Sequence, residues 1–253
     1  MNHIRILNGK FNNVDMDQTV QWAVEWIKSN KKGYICTVNV AILMMMRSSS
    51  FLQEFVDKAS LTVADGQPLI WISRLKERVT GVDLVESFCN VAPKENFRIF
   101  LLGATPETME KTVKHLREKY PGVEICGYRN GYIRTQEEED EAVQLINKSL
   151  TNLLIVGMGV PRQETFLAEN WDKLNINLAV PVGGSFDVIA KEKKRAPILI
   201  QQCGFEWLFR LIQEPKRLFW RYCKTNCQFV LLLLMQIIKK IIPSNNKRGN
   251  YAE

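Results

Sequence analysis

From residue 33 to residue 182 the chain keeps one rhythm: a short apolar run, a turn of Gly and polar residues, then a longer helical run. The strand-like runs are Tyr34–Val38, Leu61–Ala64, Arg98–Leu102, Val123–Tyr128, Leu153–Val156 and Leu178–Val182. Helical patterns fill the gaps at Ala41–Arg47, Phe51–Ala59, Gln67–Leu75, Val82–Val91, Pro106–Tyr120, Gln136–Ser149 and Pro161–Leu174. Parallel strands require crossover connections, and helices packed on the sheet supply them. The expected fold is therefore α/β: a Rossmann-like, mainly parallel sheet with helices on both faces, plus a basic C-terminal helical appendage. A length of 253 residues accommodates one sizeable core and such an appendage.

Ligands of open parallel sheets bind beyond the carboxyl ends of the strands. Five turns fall at such ends: Thr37–Asn39, Asp65–Gly66, Gly103–Thr105, Gly157–Gly159 and Gly183–Asp187. Their convergence points to a single site. In IVGMGVPRQE, Gly157 and Gly159 let the backbone approach a ligand, and Pro161 suits the first turn of a helix. The free N–H groups there can hold a phosphate, with Arg162, Gln163 and Glu164 flanking it. The turn Gly103–Glu107 reads equally as a diphosphate cradle or as a helix start capped by Thr105. Asp65 is either a general base at a strand end or the N-cap of helix Gln67–Leu75. Thr37 and Asn39, taken alone, are turn formers, and Arg78 with Asp83 makes no more than a local ion pair.

The net charge of +7 is unevenly spread. Residues 191–253 hold 13 Lys/Arg against 4 Asp/Glu, a net of +9, while residues 1–190 hold 21 against 23, a net of −2. The division expected is a domain over 1–190 and a basic amphipathic appendage over 191–253. A patch of this kind faces nucleic acid or an anionic membrane. Within it, Phe229–Ile242 reads FVLLLLMQIIKKII, shorter than the about 20 apolar residues of a spanning helix. Preceded by interleaved Arg, Lys, Trp and Phe, it fits a helix lying on a membrane surface. The alternative is a core-packed helix with a solvated basic face. The six cysteines lack CxxC spacing, and Cys36 and Cys126 are expected as buried free thiols. MNHIRILNGK lacks an apolar signal core, so a cytoplasmic protein is expected.

Asp15-Met16-Asp17 resembles a DxD metal site, but it opens the helix Gln18–Lys28, where Asp17 serves as N-cap. His3 and His115 lie far from every motif. A nicotinamide-dependent oxidoreductase is the enzymatic alternative suggested by IVGMG. It lacks a full GxGxxG and an acidic residue ending a strand to hold a ribose. A nucleic-acid-binding module is the non-enzymatic alternative, and it leaves the strand-end turns without a purpose.

Four segments in order, GMGVPRQE, VGGSFD, KRAP and FEWLFRLIQEPKRL, resemble the WecG/TagA/CpsF glycosyltransferases. The resemblance runs from about Gly33 to Tyr222. It implies an inverting enzyme that moves N-acetylmannosamine or a related sugar from a UDP donor to a polyprenyl-diphosphate-linked sugar in cell-surface polymer or teichoic acid synthesis. It implies Asp65, in TVADG, as the general base and Thr37 and Asn39 in the sugar-nucleotide pocket. It also implies Arg78, Gln163 and Asp187 near the donor, with Gly157, Gly159 and Gly183 in the turns; Gly103 remains a candidate of the turn described above. Transfer would be metal-independent and without a cofactor. Arg195, Arg210, Arg217 and Arg221 are then candidates to neutralise the leaving diphosphate, because Arg matches phosphate oxygens bidentately. The expected partners are the UDP-sugar, the lipid-linked acceptor and the inner face of the cell membrane. Self-association is a further expectation, and nucleic acid is not expected.

Overall fold

The computed structural model describes residues 2–241. An antiparallel hairpin opens the chain, β1 (His3–Ile6) against β2 (Gly9–Asn12). Helix α1 (Met16–Lys28) follows, and its N-cap is Asp15 rather than the expected Asp17. Gln18 N donates to the Asp15 carboxylate at 2.8 Å, and the Gln18 side chain accepts from Asp15 N at 3.3 Å. That reciprocal box needs a Gln or Glu three residues on, which Asp15 has and Asp17 lacks.

The expected alternation then runs through β3 (Gly33–Val38), α2 (Val40–Ser48), α3 (Ser50–Asp57), β4 (Leu61–Ala64), α4 (Gln67–Trp71), α5 (Gly81–Glu95) and β5 (Arg98–Gly103). It continues through α6 (Pro106–Lys119), β6 (Glu124–Arg129), α7 (Gln136–Lys148), β7 (Leu153–Gly157), α8 (Arg162–Asn170), β8 (Leu178–Pro181) and α9 (Ser185–Ile189). Helix α4 is shorter than the pattern to Leu75 suggests. Only Leu69 in it is buried, while Trp71 and Ile72 are exposed, so no apolar stripe holds a longer helix to the core.

Six strands form one parallel sheet in the order β4-β3-β8-β7-β5-β6. Side chains alternate between two cores. Ile99, Leu101, Leu153 and Ile155 enter one; Phe100, Leu102, Leu154 and Val156 enter the other. The period of two along each strand produces this division. Helix α2 leaves β3 into the second core, through Leu43 and Met44, whereas α9 leaves β8 into the first, through Phe186 and Ile189. Neighbouring strands whose helices depart to opposite faces make a crevice between them. Strands β3 and β8 pair only at Gly33–Leu178 and Tyr34–Ala179, so their carboxyl ends splay apart at that crevice.

The basic segment folds as α10 (Ile198–Gln202), α11 (Glu206–Gln213) and α12 (Pro215–Ile241). EWLFRLIQEPKRLFWRY is thus two helices rather than one. Pro215 has no N–H to continue the α11 ladder and starts α12 instead. Helix α12 packs on α2, with Phe229, Leu232 and Leu233 joining the second core. Its other face exposes Val230, Leu231, Leu234, Met235 and Ile238. This run therefore packs on the core along one face, and the described part of its exposed face is apolar rather than basic; Ile242 lies outside the described residues. No described helix is long and apolar enough to cross a membrane. All six cysteines are free, with Cys36 and Cys89 buried and Cys126 half-buried.

Candidate active site

The crevice between β3 and β8 opens into a cavity of about 570 Å³. Every strand-end turn anticipated in the sequence borders it, apart from Gly103. Thr37 lies near the end of β3 and Asn39 just after it, Asp65 follows β4, Gly157 ends β7 and Gly159 follows it, Gly183 follows β8, and Asp187 lies in α9. From the C-terminal segment come Arg195, Arg210 and Arg221. The side chain of Arg217 is not among the described parts of the structure.

Two of these turns use a backbone conformation that glycine adopts most readily. Gly159 and Gly183 have φ of +79° and +56°, and a Cβ on either would meet nothing within 4 Å. Both are left-handed turns facing open space. Gly103 and Gly157 instead serve packing. A Cβ on Gly103 would lie 2.3 Å from the Gly157 carbonyl oxygen, and one on Gly157 2.5 Å from the Phe186 ring. Gly103 therefore supports the glycine turn from behind and does not line the cavity. In the turn that follows it, Thr105 caps α6 by accepting from Thr108 N at 3.1 Å, and Ala104 and Thr105 border the cavity.

Several polar residues hold one another before they could hold a ligand. Thr37 Oγ1 donates to Pro181 O at 3.2 Å across the splayed strands. Asn39 Oδ1 caps α2 by accepting from Ile42 N at 3.0 Å, and its amide nitrogen has no partner among the described residues. Gln163 is buried; its oxygen accepts from Gly183 N at 3.0 Å and its amide donates to Glu164 at 2.8 Å. Gln163 thus fixes the β8 turn. Burial pushes the Glu164 carboxyl up to about 7, although the Gln163 and backbone donors oppose the shift. Asp187 pairs with Lys193, which also reaches Glu214 at 2.9 Å.

Asp65 is partly exposed to the cavity and does not cap α4. Gly66 occupies the N-cap position there, with no side-chain cap bond. The carboxyl is pushed up to about 7, chiefly by burial. Arg210 opposes this shift, Glu206 adds to it, and Arg78 and the Gly81 N–H oppose it. Arg78 does not pair locally with Asp83. Its Nη1 donates to Glu206 at 2.5 Å and its Nη2 to Gln201 at 3.2 Å, while Asp83 accepts from Arg195 at 2.6 Å. Both arginine pairs join the α/β layers to the C-terminal segment.

A second cavity of about 290 Å³ adjoins the first. Val40, Pro68, Trp207, Phe229 and Val230 give it an apolar wall, and Arg78 lies here rather than in the larger cavity. Asp65, Arg210 and Tyr222 border both. The carboxyl group therefore stands where a polar cavity meets an apolar one. Arg221 has no carboxylate partner among the described residues and lies against the Tyr222 ring, so its charge is left for the larger cavity.

Tyr132, Lys193 and Glu206 are among the lining residues that the sequence reading did not single out. Tyr132, half-exposed, offers an aromatic face in the loop after β6, a strand end that the sequence reading did not single out. Lys193 and Glu206 belong to the basic segment, where single charges carry no motif. Among the described residues no group of three or more His, Cys, Asp or Glu is placed to hold a metal ion.

A protein of Staphylococcus aureus described as N-acetylglucosaminyldiphosphoundecaprenol N-acetyl-beta-D-mannosaminyltransferase is 30% identical over 222 residues, covering 85% of this chain and 86% of its own. One of the same description from Bacillus spizizenii is 29% identical over 214 residues, covering 83% and 81%. The model of the glycosyl transferase WecG/TagA/CpsF family matches residues 4–242, the three C-terminal helices included, and the chain belongs to that family.

Proposed function

We propose that this glycosyltransferase moves N-acetylmannosamine, or a closely related sugar, from a UDP donor to N-acetylglucosamine carried on a polyprenyl diphosphate. The relatives' descriptions name that sugar and that acceptor. The observation that carries the reading is Asp65 at the junction of the two cavities. The larger cavity, with its left-handed glycine turns, Arg210 and Arg221, suits a nucleotide diphosphate. Tyr132 offers a face on which a uracil ring can stack. The smaller, apolar-walled cavity suits the acceptor sugar arriving on a lipid.

In the proposed step an acceptor hydroxyl attacks the anomeric carbon as Asp65 takes its proton. The bond from that carbon to the diphosphate oxygen breaks, and UDP leaves with the electron pair. Attack from the side opposite UDP inverts the anomeric centre. The negative charge that grows on the leaving diphosphate falls to Arg210 and Arg221, with Arg195, Arg217 and Lys193 as further candidates. No metal or cofactor enters this scheme. Thr37 and Asn39 border the donor beside the carboxylate, and Gln163 shapes its pocket through Gly183. Asp187 faces the donor from the β8 turn, and Arg78 acts through Glu206.

The exposed apolar stripe of α12 and the net +9 of residues 191–253 support docking on an anionic membrane surface, where such an acceptor resides. On this reading residues 1–190 form the donor-binding domain and residues 191–253 the part that completes the site and meets the membrane. The test is a panel of UDP-sugars offered with a short-chain polyprenyl-diphosphate-N-acetylglucosamine. Consumption of UDP-N-acetylmannosamine with formation of a lipid-linked disaccharide is expected. Consumption of another donor alone would correct the sugar; consumption of none would contradict the reading.

A further inference from the structure

Glu206 stands on the first turn of α11 with only 14% of its side chain exposed. Each of its carboxylate oxygens is committed to a different guanidinium. Arg78, from the segment ahead of α5, donates to one at 2.5 Å, and Arg210, one helical turn on, donates to the other at 2.8 Å. Neither arginine hydrogen-bonds Asp65, although both act on it electrostatically. A guanidinium left without Glu206 beside a carboxylate would close on it as a bidentate pair, because that geometry is the preferred one. Asp65 held in such a pair would be a poor proton acceptor.

We propose that Glu206 is a positioning residue: it holds Arg78 and Arg210 together and off Asp65, so that docking of the C-terminal helices and the reactivity of that carboxylate are set by one contact. The proposal rests on the reading of Asp65 as the base. The surrounding contacts make the docking specific. A Cβ on Gly204, in the turn between α10 and α11, would lie 2.3 Å from the Trp71 ring, so this turn fits directly on α4. Gln201 adds a second partner for Arg78. The charged and titratable groups around Asp65 are Glu206 and Arg210 from α11 and Arg78 from the segment before α5, with the Gly81 N–H from α5 donating to it. Tyr222 of α12 also acts on Arg210 electrostatically. Burial works to raise the Glu206 carboxyl, yet Arg210 and Arg78 together hold it below its ordinary value, so it stays ionised at neutral pH. Its charge is thus permanent across the range in which Asp65 titrates.

The experiment uses the full chain labelled with ¹³C at the Asp carboxyl carbons, the Asp65 signal being identified by its loss in Asp65→Asn. Titration is followed in the unsubstituted protein, in Glu206→Gln and in Glu206→Ala. Removing the negative charge while Arg78 and Arg210 remain should move the Asp65 titration to lower pH, by on the order of one unit. The acidic limb of kcat/KM should move with it. Glu206→Ala should in addition speed tryptic cleavage at Lys193 through Arg210 several-fold, as the helices lose their tie. An Asp65 titration that stays in place in Glu206→Gln, or moves upward, overturns the proposal. Because the titration needs no substrate, a shifted signal in a protein that consumes no UDP-sugar would uphold the positioning role while the functional reading failed.

Discussion

A carboxyl group pushed up to about 7 by burial is half ionised at neutral pH, a condition suited to accepting a proton in one step and releasing it afterwards. Asp65 functions as a base only when ionised. The account therefore expects kcat/KM to rise with pH through about 7 and level off above it. A profile flat from pH 5 to pH 8 would contradict it. Stability has the opposite sign. A carboxyl raised in the folded state stabilises the fold below its ordinary value near 3.8, and that contribution is lost as pH rises through about 7. Asp65→Asn should accordingly melt higher than the unsubstituted protein above pH 7, and the two should converge near pH 4. A base poised in this way costs stability at the pH where it acts.

Helix α12 packs on the core along one face and exposes apolar side chains on the other, and the two faces can be tested apart. Phe229, Leu232 and Leu233 pack into the core, and Phe229 also walls the smaller cavity. Leu231, Leu234 and Ile238 face outward. The double substitution Leu231→Glu with Leu234→Glu should abolish binding to anionic vesicles while leaving the melting temperature and turnover of a soluble acceptor near normal. Phe229→Ala should instead destabilise the fold by about 3–5 kcal/mol. Equal vesicle binding by the double variant would remove α12 from the membrane contact. The sheet was legible because each strand is a short apolar run closed by a turn, and period-two burial needs no tertiary information. Asp65, Gly157 and Asp187 were legible for the same reason: they stand at strand ends. What escaped depends on distant partners. Glu206 matters because Arg78 lies 128 positions away in sequence, and Arg78 looked local because Asp83 is near in sequence. Asp15 and Asp17 are told apart only by the residue three positions on.

At the scale of the whole molecule, the positive charge of the described part of the basic segment is placed in two ways. Arg195, Arg210 and Arg221 line the cavity, Arg221 from an exposed position, while the exposed Lys216 and Lys224 do not line it. With guanidinium groups available to a leaving diphosphate, turnover should persist in excess EDTA; its loss on chelation and recovery with Mn²⁺ would contradict the metal-free scheme. The proposed reaction turns on Asp65, placed where the larger cavity meets the smaller one, taking the proton of the attacking hydroxyl. UDP release in the presence of the short-chain acceptor, compared between the unsubstituted protein and Asp65→Asn at saturating donor, tests it most directly. The account expects unchanged UDP affinity and a turnover lower by about 10²–10⁴-fold. Near-normal turnover in Asp65→Asn would contradict it.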